Sequence, residues 1–481
     1  MESIKRREFL AAACKSAISF SLGASLLGQC ARTGSPGSGK RLNFVVILID
    51  DLGWRDLGCY GSTFYQTPNI DRLAGQGARF TDFYAAAPNC SPTRASILTG
   101  KYPARLDLTN YLVGLRQKKN SPVLPAEFKH YLPLEEPTIA EALEPAGYTS
   151  ALVGKWHLGF PPYFPKPQGF DHQFGAMERG MPKSYFYPQW EDRPPIEAEE
   201  GAYLTDVINR DAEQWLEQNR HRPFCLVLSH YTVHTPLEAP EELIEKYRNN
   251  ADPDAEQNNP IYAAMIENMD SNVGSLLAKL DELELADNTV VIFTSDNGGL
   301  HVEMGKHTPS TSNAPLREGK GYLYEGGIRV PLIVRWPGVT TPGSTIHAPA
   351  VSTDFYPTIL DGAGVKDHSD GGMDGISLRQ LITGKDKPER EALYFHFPHF
   401  SNTGSTPAGA VRRGDYKLIE FYEHGRLELY NLKEDIGENH NLAEIKPELA
   451  QELHQMLADW RKDVGANMPP PNPEYPLKRN K

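Results

Sequence analysis

The sequence predicts an α/β chain with a large mixed, mostly parallel sheet flanked by helices. A smaller C-terminal domain of antiparallel sheet and helix follows it. Three observations lead there. Apolar runs at 42–51 (LNFVVILIDD), 224–229 and 288–299 (NTVVIFTSDNGG) are continuous and end in polar residues, as strands buried on both faces do. Between the last two, Tyr262, Ile266, Met269, Val273, Leu276, Leu277 and Leu280 recur at helical spacing. Further on, YKLIEFY and RLELYNL flank Glu423-His424-Gly425, a hairpin signal.

Composition bounds the classes. The chain has 481 residues, 40% hydrophobic and 23% charged, a folded protein too long for one small core. A formal net charge of -13 argues against a nucleic-acid partner, yet leaves room for a locally positive pocket that takes a small anion. Five cysteines (Cys14, Cys30, Cys59, Cys90, Cys225) make no disulfide framework at this length.

The elements follow in chain order. Lys5-Arg6-Arg7 precedes an apolar, small-residue stretch to about Leu27, interrupted by Lys15. This is an export signal over 1–31, and Arg6-Arg7-Glu8-Phe9-Leu10 has the look of a twin-arginine signal. Leu27-Gly28-Gln29-Cys30 resembles a bacterial lipoprotein box, with Gln29 where a small residue is usual; Cys30 is the candidate lipid anchor of an exported, periplasmic or membrane-anchored protein. A Gly/Ser-rich linker spans 32–42. The main domain is expected over 43–370. Ligands of such sheets bind beyond the carboxyl ends of the strands, where Asp50-Asp51, His230/His234 and Asp296-Asn297 fall. The helix-like run 351–365 and a Gly-rich segment near Gly371 lead to a C-terminal domain at 371–468. There Leu449, Leu453, Met456, Leu457 and Trp460 form one helical face. A proline-rich tail, an extended strap or a disordered segment, closes the chain at 469–481.

Several residues have chemical potential, each with a plain alternative. Cys90 in APNCSPTRASILTG stands where a loop feeds a helix N-terminus, a place for an anion or simply for a free thiol. Asp50-Asp51 and Asp296-Asn297 at strand ends are solvated caps or oxygen ligands for a hard cation, calcium before magnesium or zinc. Lys155 and His157 in GKWH share one face if the segment is extended; otherwise the triplet is surface. His234, past its strand and before Pro236, is a structural histidine or a site residue. Lys320 lies between two glycines, where backbone can approach an anion closely.

Taken together, Cys90-Ser91-Pro92-Thr93-Arg94 with Thr99-Gly100, Gly154-Lys155-Trp156-His157, Asp50-Asp51, Asp296-Asn297-Gly298 and the 320–331 stretch resemble the type I sulfatases. The motifs come in the family's order from about Asn43 onward. Asn89 departs from the apolar or small residue more usual there. The resemblance implies an alkaline phosphatase-like fold and a cysteine, Cys90, oxidised to formylglycine by a separate maturation enzyme. One hydroxyl of the hydrated aldehyde attacks sulfur, and the other expels sulfate, splitting a hard displacement into two easier steps. It further implies one calcium ion held by Asp50, Asp51, Cys90, Asp296 and Asn297. Asp296 is also a candidate acceptor for the nucleophile's proton. Arg94 and Lys155 would hold the hydrate, His157 would be the base that collapses the sulfated intermediate, His234 the general acid, and Lys320 a sulfate ligand.

The substrate the resemblance implies is a sulfated carbohydrate, as for bacterial sulfatases that desulfate polysaccharides, with a galactose-type 4-sulfate as the first expectation. Segments 106–133, 301–317 and 396–405, rich in His, Asn, Tyr and Lys/Arg, are expected to line its cleft. The rival within the superfamily is a phosphodiesterase or phosphonate monoester hydrolase that also uses formylglycine. A binding protein that kept the fold and lost catalysis would lack ligand residues, and none is missing.

Overall fold

The apolar runs become the central strands of a computed structural model that describes residues 41–112, 114, 120–190, 195–366, 372–384 and 390–475. The expected export signal, Cys30, most of the linker, the Gly371 boundary and the tail beyond 475 lie outside them. The strands in chain order are β1 (Asn43–Ile49), β2 (Ala78–Phe80), β3 (Phe83–Tyr84), β4 (Thr149–Gly154), β5 (His172–Phe174), β6 (Phe224–Ser229), β7 (Thr289–Ser295), β8 (Leu332–Arg335), β9 (Ser344–Ile346), β10 (Ala350–Val351), β11 (Leu393–Phe397), β12 (Ala408–Arg413), β13 (Tyr416–Phe421) and β14 (Arg426–Asn431).

Eight of them form one sheet in the order β5-β4-β6-β1-β7-β8-β2-β9, in which β8 runs against its neighbours β7 and β2. Every residue of β1, β6 and β7 is buried, which is why these runs are apolar without alternation. Odd and even residues of β1 face two different cores. Val45, Ile47 and Ile49 pack on one side, and Phe44, Val46 and Leu48 on the other. Helices cover both faces. The first core takes α1 (Pro68–Gln76), α3 (Leu204–Asn219) and α4 (Pro260–Glu282); the second takes α2 (Cys90–Thr99) and α5 (Phe355–Ala363). α4 is the amphipathic helix read from its spacing; Asn259 caps it by accepting from the amides of Ile261 and Tyr262. β3 and β10 pair in parallel as a separate two-stranded sheet.

The fold class is as predicted, and the C-terminal sheet is larger than the hairpin signal indicated. β13 and β14 form that hairpin, but β11 and β12 extend it to four antiparallel strands, backed by α6 (Pro447–Asp463). His396, placed by the sequence in a cleft segment, belongs to β11. Its ring nitrogens meet the Tyr422 hydroxyl at 2.8 Å and the Asn467 carbonyl at 3.0 Å, so it is a satisfied interior histidine. Arg41–Lys481 forms one compact unit. Residues 470–472 lie along 122–124 through backbone hydrogen bonds. Among the described residues no helix is long and apolar enough to cross a membrane.

Candidate active site

β6, β1 and β7 are neighbours in register, with Leu48 opposite Ser229 and Ile49 opposite Ser295. Their carboxyl ends therefore open at one level. The Asp50 amide donates to the Thr232 carbonyl and the Asp296 amide to the Ile49 carbonyl, which ties the three exits together. Asp51 takes a left-handed φ of 61°, an uncommon conformation outside glycine that recurs at functional sites. It turns the chain so that successive carboxylates converge. Cys90, the first residue of α2, is buried and places its sulfur 3.6 Å from Asp50 Oδ1.

Three carboxylates meet three cations here. Arg94, one turn along α2 from Cys90, donates from Nε to Asp296 Oδ2 at 2.9 Å, and its Nη2 lies in ion-pair contact with the same oxygen at 2.8 Å. It also reaches the Ser229 hydroxyl at 2.5 Å. Lys155 Nζ lies 2.5 Å from Asp50 Oδ2, and Lys320 Nζ 2.7 Å from Asp51. Lys155 and Asp50 are fully buried, where a charge persists only if paired. Burial alone would push the Asp51 carboxyl up, but the Lys320 ammonium and His234 hold it well below the usual range. Burial and the adjacent Asp50 carboxylate push Asp296 up, against Arg94. The Cys90 thiol is pushed up to about 12 by burial. A thiol in that state is no nucleophile at neutral pH.

Lys155 and His157 both reach the interior, but not by alternation along a strand. β4 stops at Gly154, whose φ is 102° and where any Cβ would collide with the Ser229 carbonyl. The chain then turns, and His157 itself has φ 55°. Its Nε2 donates to the Leu112 carbonyl at 2.6 Å, so Nδ1 carries the lone pair, buried and without a partner. Burial, with Lys155 nearby, holds this imidazole well below its ordinary value and neutral. His234 donates from Nδ1 to the Thr235 carbonyl at 2.7 Å and turns Nε2 toward Asp51 at 3.5 Å. Burial and Lys320 lower it to about 3.

The glycines around Lys320 act differently from the sequence expectation. A Cβ at Gly319 would collide with Asn313, the Gly299 carbonyl and the His301 ring. The space is filled by protein, and the close approach seats the Lys320 amide on the Gly299 carbonyl at 3.1 Å. The loop delivers an ammonium to Asp51; it offers no open backbone to an anion.

The donor set fits a hard cation. Ligand atoms of Asp50, Asp51, Cys90 and His234 all lie within 4.8 Å of one another. Asn297 Nδ2 donates to Asp51 Oδ1 at 2.8 Å, leaving its Oδ1 buried without a partner. A buried acceptor with nothing to accept from is costly and is what an oxygen-liganded cation satisfies. His234 joins the cluster although the sequence reading did not number it among the ligands. Asp296 is engaged by Arg94 and by the Asp51 amide, 3.2 Å from Oδ1.

Sequence reasoning missed the supports. Ser229 bridges Arg94 and the Lys155 carbonyl, donating to the latter at 2.6 Å. The Leu112 carbonyl fixes the His157 tautomer. The Tyr185 hydroxyl holds the His234 loop by donating to the carbonyls of Tyr231 and His234. Ser229 is the one with a signal, as the last residue of an apolar strand. Backbone carbonyls leave none.

One expected cleft segment, 301–317, and only the end of another, 396–405, line cavities. One of about 280 Å³ is lined by His301 and most of 309–316, together with Glu318. Another of about 220 Å³ includes Arg317, Tyr322, Gly404 and Ser405. The third segment, 106–133, falls partly outside the described residues at 113 and 115–119.

Comparison with known proteins matches this architecture. The sulfatase family profile matches residues 42–365, and that of the N-sulphoglucosamine sulphohydrolase C-terminal region matches 319–463. N-acetylgalactosamine-6-sulfatase of Canis lupus familiaris is 34% identical over 410 residues, covering 82% of this chain and 74% of the relative. A sulfatase of Formosa agariphila is 32% identical over 498 residues, covering 88% and 89%. The crystal structure of Ps i-CgsB in complex with k-i-k-neocarrahexaose superposes with a TM-score of 0.74 at 29% identity, covering 88% of this chain and 94% of that one. With a profile spanning the whole main sheet and relatives aligned along most of both chains, this chain belongs to the sulfatase family, hydrolases of sulfate esters.

Proposed function

We propose that this sulfatase desulfates a carbohydrate or polysaccharide, using Cys90 oxidised to formylglycine and one calcium ion. The observation that carries the reading is the meeting of Cys90 with Asp50, Asp51, Asp296, Arg94, Lys155 and Lys320 at three adjacent strand ends. A buried thiol raised to about 12 has no use as a nucleophile, whereas the hydrated aldehyde supplies two hydroxyls on one carbon, for attack on sulfur and for expulsion of sulfate. The cation supplies a positive charge for the sulfate oxygens, with Asp50, Asp51, Asp296, Asn297 and residue 90 as its ligands.

The chain's own residues do the rest. Three cations against three carboxylates leave the protein part of the site near neutrality, so a bound divalent cation adds a net positive charge that suits a sulfate ester. Arg94 and Lys155 hold residue 90 and the carboxylates in place, and Lys320 reaches the sulfate. His157, neutral with a free Nδ1 lone pair, is placed to take a proton. His234 offers Nε2; the arriving ester's negative charge favours its protonation, and it then donates to the departing sugar oxygen. The chain is exported, to the periplasm or as a lipoprotein through Cys30, and a formylglycine-generating enzyme is its maturation partner.

Expression with that maturation enzyme tests the reading. The peptide spanning Cys90 should lose its sulfur by mass spectrometry, and the protein should release sulfate from a panel of monosulfated hexoses. That panel should include galactose 4-sulfate and, after its relatives, N-acetylgalactosamine 6-sulfate. Full activity with an unmodified Cys90, or faster turnover of phosphate diesters or phosphonate esters than of any sulfate, would overturn it.

A further inference from the structure

We propose that Glu318, held by His301, reads free hydroxyls on the sugar that bears the sulfate. The substrate class is then a sugar with an unsulfated diol beside the scissile ester. The inference rests on the sulfatase reading and narrows it.

Both members of the pair hang from catalytic segments. Glu318 precedes by two residues the lysine whose ammonium sits 2.7 Å from Asp51, and His301 follows Asn297 by four. His301 Nε2 lies 2.8 Å from Glu318 Oε2, with the two side chains 16% and 32% exposed. On its other side the His301 ring meets Tyr322 edge-on, centroids 5.5 Å apart. The carboxylate is therefore pinned while still reachable. His301 engages Oε2, and the adjacent Arg317 directs its hydrogen bonds elsewhere. That guanidinium bonds the Tyr430 hydroxyl and the Glu438 carbonyl and stacks on Tyr324.

Glu318 also holds a left-handed φ of 59°. A non-glycine residue there is strained, so a side chain is present where its absence would be cheaper. It opens into the cavity of about 280 Å³ that Glu256, Asn258, His301, Ser312 and Asn313 also line. That is near the lower end of ordinary ligand pockets, roughly 300–1,000 Å³, and suits a single sugar ring. The described residues lining it include two carboxylates and no lysine or arginine; Glu256 is paired with Arg55 at 2.8 Å, which leaves Glu318 as the carboxylate without a lysine or arginine ion pair. An ionised carboxylate only accepts hydrogen bonds and can take both donors of a diol. A second sulfate in that place would meet like charge.

The test compares the best monosulfated hexose of the panel, the same sugar carrying a second sulfate, and nitrophenyl sulfate. Glu318→Gln should raise KM for the monosulfated sugar roughly ten- to a hundred-fold, the span of a hydrogen bond to a charged group. It should raise kcat/KM for the disulfated sugar relative to the monosulfated one and leave nitrophenyl sulfate unchanged. His301→Ala should move KM the same way through loss of positioning, and His301→Gln, which can still donate to Glu318, should restore it. Equal effects of Glu318→Gln on all three substrates, or an unchanged ratio of disulfated to monosulfated turnover, would overturn the assignment while leaving the sulfatase reading intact. A wild-type protein inactive on every sulfate ester would overturn both.

Discussion

At the scale of single residues, the site separates two histidines by hydrogen-bond direction. His157 donates from Nε2 to the Leu112 carbonyl and keeps Nδ1 as a base; His234 donates from Nδ1 to the Thr235 carbonyl and keeps Nε2. Their roles can be told apart by leaving group. A sugar alkoxide needs a proton as its bond to sulfur breaks, and a nitrophenolate does not. His234→Ala should therefore lose more on a sugar sulfate than on nitrophenyl sulfate, by a factor approaching roughly 10²–10⁴. His157→Ala should lower both alike and let sulfated enzyme accumulate, visible by intact mass. Equal losses for His234→Ala would remove it from the acid role. Both histidines were legible in the sequence from their motifs, but which nitrogen of each is free was not. That depends on carbonyls distant in sequence or hidden in a turn.

At the scale of elements, the C-terminal sheet grips the loop that carries Lys320. Lys417 of β13 is fully buried, 2.8 Å from Glu325 and 2.9 Å from Glu438. Glu325 also accepts from Arg329 Nε at 2.6 Å and from the Tyr84 hydroxyl at 2.7 Å. Removing the lysine strands two carboxylates in the interior, so Lys417→Met should destabilise the fold by about 3–5 kcal/mol, read by denaturant titration. A loss under ~1 kcal/mol would mean water enters the network. β11 gives a pH signature. Burial lowers His396 to about 4, below its unfolded value, so its contribution is present above about pH 6.5 and is lost as pH falls toward 4. Between pH 7 and pH 4.5 it should cost the wild type about 2–3 kcal/mol that His396→Gln does not lose. The hairpin β13–β14 was readable from its turn. β11 was not, since His396 interrupts its apolar pattern and only the Tyr422 and Asn467 partners make that histidine an interior residue.

At the scale of the whole molecule, the putting together of β1, β6 and β7 makes stability and metal binding one property. Ligands from separate strand exits are brought within reach only in the folded chain, so a cation that binds the native state alone stabilises it. At a hundred times its dissociation constant the gain is about 2.7 kcal/mol. Exhaustive chelation should abolish sulfate release and lower the melting temperature, with calcium restoring both. Full activity after chelation would exclude the calcium site, and Asp50→Ala should make melting insensitive to the chelator.

The sequence by itself determined the strand runs and the amphipathic helices and singled out the candidate site residues, because those depend on local periodicity and on short motifs. It placed Asp50, Asp51, Asp296 and Asn297 at strand ends and Cys90 at a helix start, and the fold keeps them there. Only the tertiary structure decided which strands are neighbours and hence which ends converge. It also decided that Gly154 and Gly319 serve close packing of backbone, and that Glu318 stands pinned by His301 beside a cavity, two residues before Lys320. The reason is physical: the order of strands, the tautomer of a buried imidazole and the walls of a cavity are set by three-dimensional contacts, most of them between residues distant in sequence, and no local pattern records them.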